Sequence, residues 1–240
     1  MSEIIRDILK KGFSQMKLAA DEHKIEQLLR YASLLTEWNQ KINLTAITEP
    51  SQVAVKHFLD SISLLSVYTP PEGAYVVDVG SGAGLPGIPL KIMRPDLEVV
   101  LLDSLRKRVD FLTLCCQELG LAGTACVHMR AEEAGQKHYR ESFDLAVSRA
   151  VANLTTLSEY CLPLVRVGGV FAALKGPAYR DELSDAERAI QLLGGTCAQA
   201  ISVDILQKDI DHAIVLIDKT GHTPAKYPRS GGKPTNKPLK

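Results

Sequence analysis

The chain has 240 residues, 45% hydrophobic and 23% charged, ordinary globular usage that excludes collagen, coiled coil and disorder. At this length it can bury roughly 70% of its unfolded surface, so its core needs no disulfide or metal staple. Basic and acidic residues balance at 28 each, yet Lys219, Lys226, Arg229, Lys233, Lys237 and Lys240 place six positive charges and no acid in residues 219–240. Such a basic end on an acidic body points to contact with a polyanion.

The first 70 residues read as a helical appendage. Asp21 can cap a helix to about Trp38, with Ile25, Leu28, Leu29, Ala32 and Leu35 at the 3.6-residue period. A second helix, capped by Thr48 with Pro50 in its first turn, carries Val55, Phe58, Leu59, Ile62 and Leu65 on one side. Pro70-Pro71-Glu72-Gly73 breaks the chain there. From residue 71 to about 220 the pattern alternates strand and helix, which predicts an α/β domain with a mostly parallel, Rossmann-like sheet covered on both faces. The strands expected are Tyr75–Val79, Val99–Leu102, Ala125–Met129, Leu145–Ser148 and Val170–Leu174. The helices expected are Leu105–Leu119, Val151–Val167 and Asp181–Leu193, each followed by a glycine. Ala200–Leu206 and Ala213–Lys219 read as a closing antiparallel pair. Residues 221–240, spaced by proline and glycine, read as a tail that cannot pack a core.

No run of about 18 uncharged apolar residues is present, and the opening MSEIIRDILKKGF lacks the basic and apolar regions of a signal peptide. A cytoplasmic protein without a membrane partner is expected. Cys115, Cys116, Cys126, Cys161 and Cys197 lack the spacing of a zinc site and read as buried reduced thiols, and no metal is expected.

The strand Tyr75–Val79 runs directly into Gly80-Ser81-Gly82-Ala83-Gly84-Leu85-Pro86-Gly87, a loop that lets a ligand approach the backbone closely. Read as Gly82-x-Gly84-x-x-Gly87 it matches a dinucleotide fingerprint, which leaves a nicotinamide-dependent oxidoreductase as one alternative. Asp78 argues against it: a carboxylate at the strand end repels a pyrophosphate and attracts the ammonium of S-adenosylmethionine, which has no phosphate. Asp103, at the end of the next strand, can accept both ribose hydroxyls.

Several segments together resemble a known family. VVDVGSGAGLPG followed by LLDS is similar to class I S-adenosylmethionine-dependent methyltransferases. Trp38-Asn39-x-x-Ile-Asn43-Leu-Thr45, Lys56-His57-Phe58-Leu59-Asp60-Ser61, Leu102-Asp103-Ser104-Leu105-x-Lys107-Arg108, Arg130-Ala131-Glu132-Glu133, Val147-Ser148-Arg149-Ala150 and Leu174-Lys175-Gly176 resemble the RsmG (GidB) family of bacterial 16S rRNA guanine-N7 methyltransferases.

That resemblance implies S-adenosylmethionine as cofactor, with Gly80 and Leu85 lining its methionine end, Asp103 at the ribose and Ala131 and Glu132 at the adenine; Asp78, Gly82 and Gly84 complete the expected cofactor-binding set. Arg149 is expected near the methyl-transfer mouth. Asn39, Asn43, His57, Lys107, Lys175 and Arg229 become candidates for contact with 16S rRNA or the small ribosomal subunit, with no DNA partner and a monomeric state expected. Guanine N7 carries an in-plane lone pair and no proton, so no general base is expected. The segment after the fourth strand, Ser148-Arg149-Ala150-Val151, also lacks the Asn/Asp-Pro-Pro-aromatic loop of amine methylation and the acid of ribose methylation. A small-molecule methyltransferase remains the other alternative.

Overall fold

The computed structural model describes residues 2–19, 21–206 and 212–239, without the side chains of Cys197 and Ala198. Its first helices are α1 (Ser2–Gln15) and α2 (Glu22–Ile42). Asp21 caps α2 by accepting from the Lys24 N–H at 2.9 Å, and Ile25, Leu28, Leu29, Ala32 and Leu35 are all buried. The helix runs one turn past Trp38 and stops where Asn43 turns left-handed, at φ 45°.

The next helix is capped by Glu49, one residue after the expected Thr48. Its carboxylate accepts from the N–H groups of Ser51 and Gln52 together, whereas a threonine hydroxyl ordinarily satisfies one such donor. This helix is broken into α3 (Pro50–Val53), a π-helical turn (Ala54–Leu59), α4 (Asp60–Ile62) and α5 (Leu64–Val67). Short π segments gather at functional sites, and this one carries His57.

The remaining elements are β1 (Tyr75–Val79), α6 (Gly87–Met93), β2 (Glu98–Asp103), α7 (Arg106–Glu118), β3 (Thr124–His128), α8 (Ala131–Gln136), β4 (Phe143–Arg149), α9 (Leu154–Cys161), β5 (Val165–Lys175), α10 (Tyr179–Leu192), β6 (Gly195–Ser202), β7 (Ala213–Lys219) and α11 (Lys233–Asn236). They form a seven-stranded sheet of order β3-β2-β1-β4-β5-β7-β6. Strands β1 to β5 are parallel, and β7 runs antiparallel to both its neighbours.

Alternation along each strand divides the apolar side chains between two cores. Val76, Val99, Leu101, Leu145 and Val147 pack with α1, α2 and the broken helix on one face. Val77, Val79, Val100, Leu102 and Ala146 pack with α9 and α10 on the other. The N-terminal helices therefore share a continuous core with the sheet.

Three expectations need correction here. The helix expected over 151–167 is only Leu154–Cys161, capped by Asn153 accepting from Thr156 N–H. Pro163 follows, and Val165–Lys175 is one long strand in which Gly168 takes φ +86°. Strand β6 starts at Gly195, earlier than the expected Ala200, with an irregularity between Thr196 and Gln199.

The third correction concerns the basic tail, which is packed. Tyr227 joins the second core, and Pro234 is buried. Lys219 is buried, its ammonium donating to the carbonyls of Leu162 and Leu193 and to Thr223 Oγ1. Arg140 donates to the carbonyls of Thr223 and Tyr227. Arg229 makes a forked pair with Glu159, Nε to Oε1 at 2.8 Å and an Nη to Oε2 at 2.6 Å, while its own N–H donates to Oε1 at 2.8 Å. Composition missed this because proline and glycine prevent secondary structure without preventing docking by a few anchors. Lys226, Lys233 and Lys237 remain exposed.

Cys115, Cys116, Cys126 and Cys161 are unbridged, and all but the half-buried Cys126 are buried; the side chain of Cys197 lies outside the described residues. Among the described residues no helix is long and apolar enough to cross a membrane, and no cluster of three or more His, Cys, Asp or Glu could hold a metal.

Candidate active site

The strand order reverses between β1 and β4, and in open α/β sheets ligands bind at the carboxyl ends of strands beside such a point. A cleft opens there in two connected chambers that share Gly80, Asp103, Ser104 and Val151. The first, about 420 Å³, is lined by the glycine loop, Leu85, Thr45, His57, Arg108 and Arg149. The second is lined by Met129, Ala131, Glu132, Tyr160 and Thr235.

The glycine loop needs its glycines where it meets its neighbours. Gly80 has φ +73°, and a Cβ there would lie 2.7 Å from Val151. Val151 comes over the loop because Ala150 turns left-handed at φ 56° immediately after β4, an uncommon conformation for a residue with a side chain. From below, the Tyr31 hydroxyl donates to the Ala83 carbonyl, so α2 supports the loop.

Asp103 is buried at the cleft floor. Its Oδ2 accepts from Gly82 N–H and its Oδ1 from Leu105 N–H, both at 2.9 Å, with Arg108 3.7 Å away. Asp78, expected to face the ligand, lies beneath the loop and lines neither chamber. It is fully buried, Oδ2 accepts from Gly87 N–H at 3.0 Å, and Oδ1 meets no donor among the described residues. Burial pushes its pKa up to about 7, against the opposing Gly87 hydrogen bond. This carboxylate therefore ties the start of α6 to the end of β1 from below the loop.

At the other end of the first chamber Arg149 is fixed rather than free. Its guanidinium donates to the Lys56 carbonyl at 2.6 Å, to Asp60 Oδ2 at 2.8 Å and to His57 Nδ1 at 3.3 Å. Arginine has no acceptor, so Nδ1 is the unprotonated nitrogen of His57 and Nε2–H donates to Thr45 Oγ1 at 2.9 Å. Burial, with repulsion from Arg149, lowers the His57 pKa to about 4, keeping the ring neutral. Burial would raise the Asp60 pKa, but His212 and Arg149 outweigh it and hold the group ionised.

The structure thus brings Gly80, Gly82, Leu85, Asp103, Arg149, Ala131, Glu132 and His57 to one cleft. Lys175 lines a neighbouring cavity, paired with Glu182. Asn39 lines neither: its side-chain amide grips Thr45 through both N–H and carbonyl, at 2.8 and 2.9 Å, and so positions the partner of His57. Asn43 is an exposed helix stop, Lys107 is exposed on α7, and Arg229 is committed to Glu159. Gly84 (φ +92°) packs against Ile88 and Tyr31 beneath the loop. Sequence reading assigned no role to Asp60, Glu159, Glu182, His212 or Thr235. Only Asp60 carried a local signal, lying one helical turn after His57 on the same face.

The strand order, the antiparallel β7 and a glycine-loop cleft at the switch point define the class I methyltransferase architecture. The fold is similar to that of a SAM dependent methyltransferase from Aquifex aeolicus, with a TM-score of 0.52 at 18% identity over 77% of this chain and 97% of that one. Within that class the chain belongs to the GidB family, rRNA small subunit methyltransferase G, whose model matches residues 24–210. It is 52% identical to ribosomal RNA small subunit methyltransferase G of Alkaliphilus oremlandii, over 98% of this chain and 99% of that protein. It is 50% identical to the protein of that name from Alkaliphilus metalliredigens, over 97% and 98%.

Proposed function

We propose that this protein transfers a methyl group from S-adenosylmethionine to N7 of a guanine in 16S rRNA, acting in the cytoplasm on the RNA or the small ribosomal subunit. The observation that carries this reading is a cleft at the switch point of the sheet, with Asp103 on its floor and a rigid Arg149 at its mouth, in a chain of this family. When bound, the cofactor supplies an electrophilic methyl on a sulfonium.

The chain's own residues bind and orient. Asp103 offers carboxylate oxygens to a ribose diol, and Gly80 and Gly82 admit the ligand to the backbone. Ala131 and Glu132 border the chamber suited to an adenine. Arg149, His57 and Thr45 hold their places through one another, so the mouth is shaped before substrate arrives. N7 has no proton to remove, and a neutral His57 held between Arg149 and Thr45 need not act as a base; catalysis then rests on alignment and exclusion of water.

Incubating the protein with methyl-labelled S-adenosylmethionine and unmodified small-subunit rRNA, free or assembled, should place label in 7-methylguanosine on nucleoside mass spectrometry. Label in a different nucleoside, or none, would overturn the assignment. Asp103→Ala should weaken cofactor binding by roughly 10–100-fold through loss of charge-assisted hydrogen bonds. Calorimetry showing unchanged affinity would remove Asp103 from the ribose site.

A further inference from the structure

Beside the cleft lies a second cavity of about 480 Å³ that shares His57, Arg149 and Ala150 with it. We propose, resting on the methylation reading above, that this cavity receives the target guanine turned out of its RNA, with Lys175 and Glu182 reading the base's Watson–Crick edge.

Placement gives the first argument. Enzymes that modify a base extrude it into a pocket beside the reactive group. A purine that presents N7 to the wall shared with the cleft turns its Watson–Crick edge toward the rest of the lining, which includes Leu174, Lys175, Pro177, Ala178 and Glu182.

The hydrogen-bonding pattern gives the second. Lys175 can only donate and an ionised Glu182 can only accept, which matches a guanine edge of acceptor O6 beside donor N1–H. Adenine presents the reverse, an amino donor beside an N1 acceptor, and would leave both side chains facing groups of the wrong kind. The pair is held rigidly: Lys175 Nζ lies 2.6 Å from Glu182 Oε2 and donates to the Ala152 carbonyl at 3.0 Å. The Leu154 N–H donates to the same Oε2 at 2.7 Å. The Lys175 side chain is 6% exposed, so it is a poor phosphate partner and a well-placed base reader.

Two variants test the assignment on unmodified small subunits. Glu182→Gln keeps an acceptor for Leu154 but loses the charge; its kcat/KM for RNA should fall roughly 10–100-fold, with S-adenosylmethionine affinity unchanged. Ala178→Trp fills the cavity from an exposed position outside the cofactor cleft and should abolish transfer, again with cofactor binding retained. Saturation-transfer NMR supplies a readout without turnover: with the cofactor cleft filled by S-adenosylhomocysteine, guanosine should receive saturation from the unaltered protein, adenosine should not, and Ala178→Trp should erase the guanosine signal. Full transfer by both variants, or equal saturation of adenosine and guanosine, would overturn the base-pocket assignment. An unaltered protein that binds cofactor yet methylates no rRNA would overturn the functional reading beneath it.

Discussion

Arg229→Ala is expected to lower the unfolding free energy by about 3–5 kcal/mol, because it strands a buried carboxylate without its counter-charge. Glu159 is fully buried, and both its oxygens are spent on Arg229. For a chain of this size that loss amounts to a fall of roughly 6–20 °C in Tm, readable by thermal denaturation. The effect should reach the cofactor too. Residues 227–235 are anchored through Arg229, through the Thr156 hydroxyl donating to the Pro234 carbonyl and through the Tyr160–Thr235 hydroxyl contact, and Thr235 lines the second chamber. S-adenosylmethionine affinity should therefore weaken together with stability. Adding Glu159→Leu should recover part of the stability by removing the orphaned charge. If Arg229→Ala left stability intact and weakened only RNA binding, Arg229 would be a phosphate contact and the anchoring role would be wrong.

The second large effect concerns pH. Asp78 has a folded pKa near 7 against an ordinary 3.8. The folded state therefore holds a proton that the unfolded state has released, and stability falls as pH rises from about 4 to 7. His57 does the opposite: its folded pKa near 4 lies below the ordinary 6.5, so the unfolded state holds the extra proton and stability rises across nearly the same window. The two trends largely cancel. Asp96, held down to about 2 by Arg94, acts only below this window, and Lys219, lowered to about 8 by burial, acts only above it.

Asp78→Asn should break the balance. At pH 8 it removes a buried charge and raises stability by several kcal/mol, about 2–4 °C in Tm for each, while at pH 4 it changes little. His57→Gln should leave the Asp78 trend exposed, with Tm declining from pH 4 to pH 7. Tm profiles for the two variants that slope the same way would refute the compensation.

The legibility of this chain in its sequence differs by element for physical reasons. Strand β1 falls where periodicity and punctuation place it, because a buried parallel strand running into a glycine turn is a local signal. The helix expected through Val167 is shorter because Cys161-Leu162-Pro163-Leu164-Val165 is apolar throughout, and period alone cannot divide such a run between helix and strand. Asp103 and the glycine loop were legible since the chemistry is written in consecutive residues. The partners of Arg149 were not: Lys56, His57 and Asp60 stand about ninety positions earlier, and only the fold brings them to β4. Asp78 was placed at the right strand end but on the wrong side of the loop, because strand alternation fixes which face a side chain takes and says nothing about what covers it.

The cleft is walled by Thr45 from before the sheet, by Gly80 and Asp103 within it, and by Thr235 from beyond β7. No contiguous stretch of chain can make it. Contacts between such distant positions are the last to form when loop closure must come first, so a partly folded chain, even one with its central strands paired, lacks a complete receptor. Ligand affinity is then a property of the whole native state alone. By mass action a nucleoside at one hundred times its Kd adds about 2.7 kcal/mol to global stability, and the small molecule becomes a clamp joining the two ends of the polypeptide.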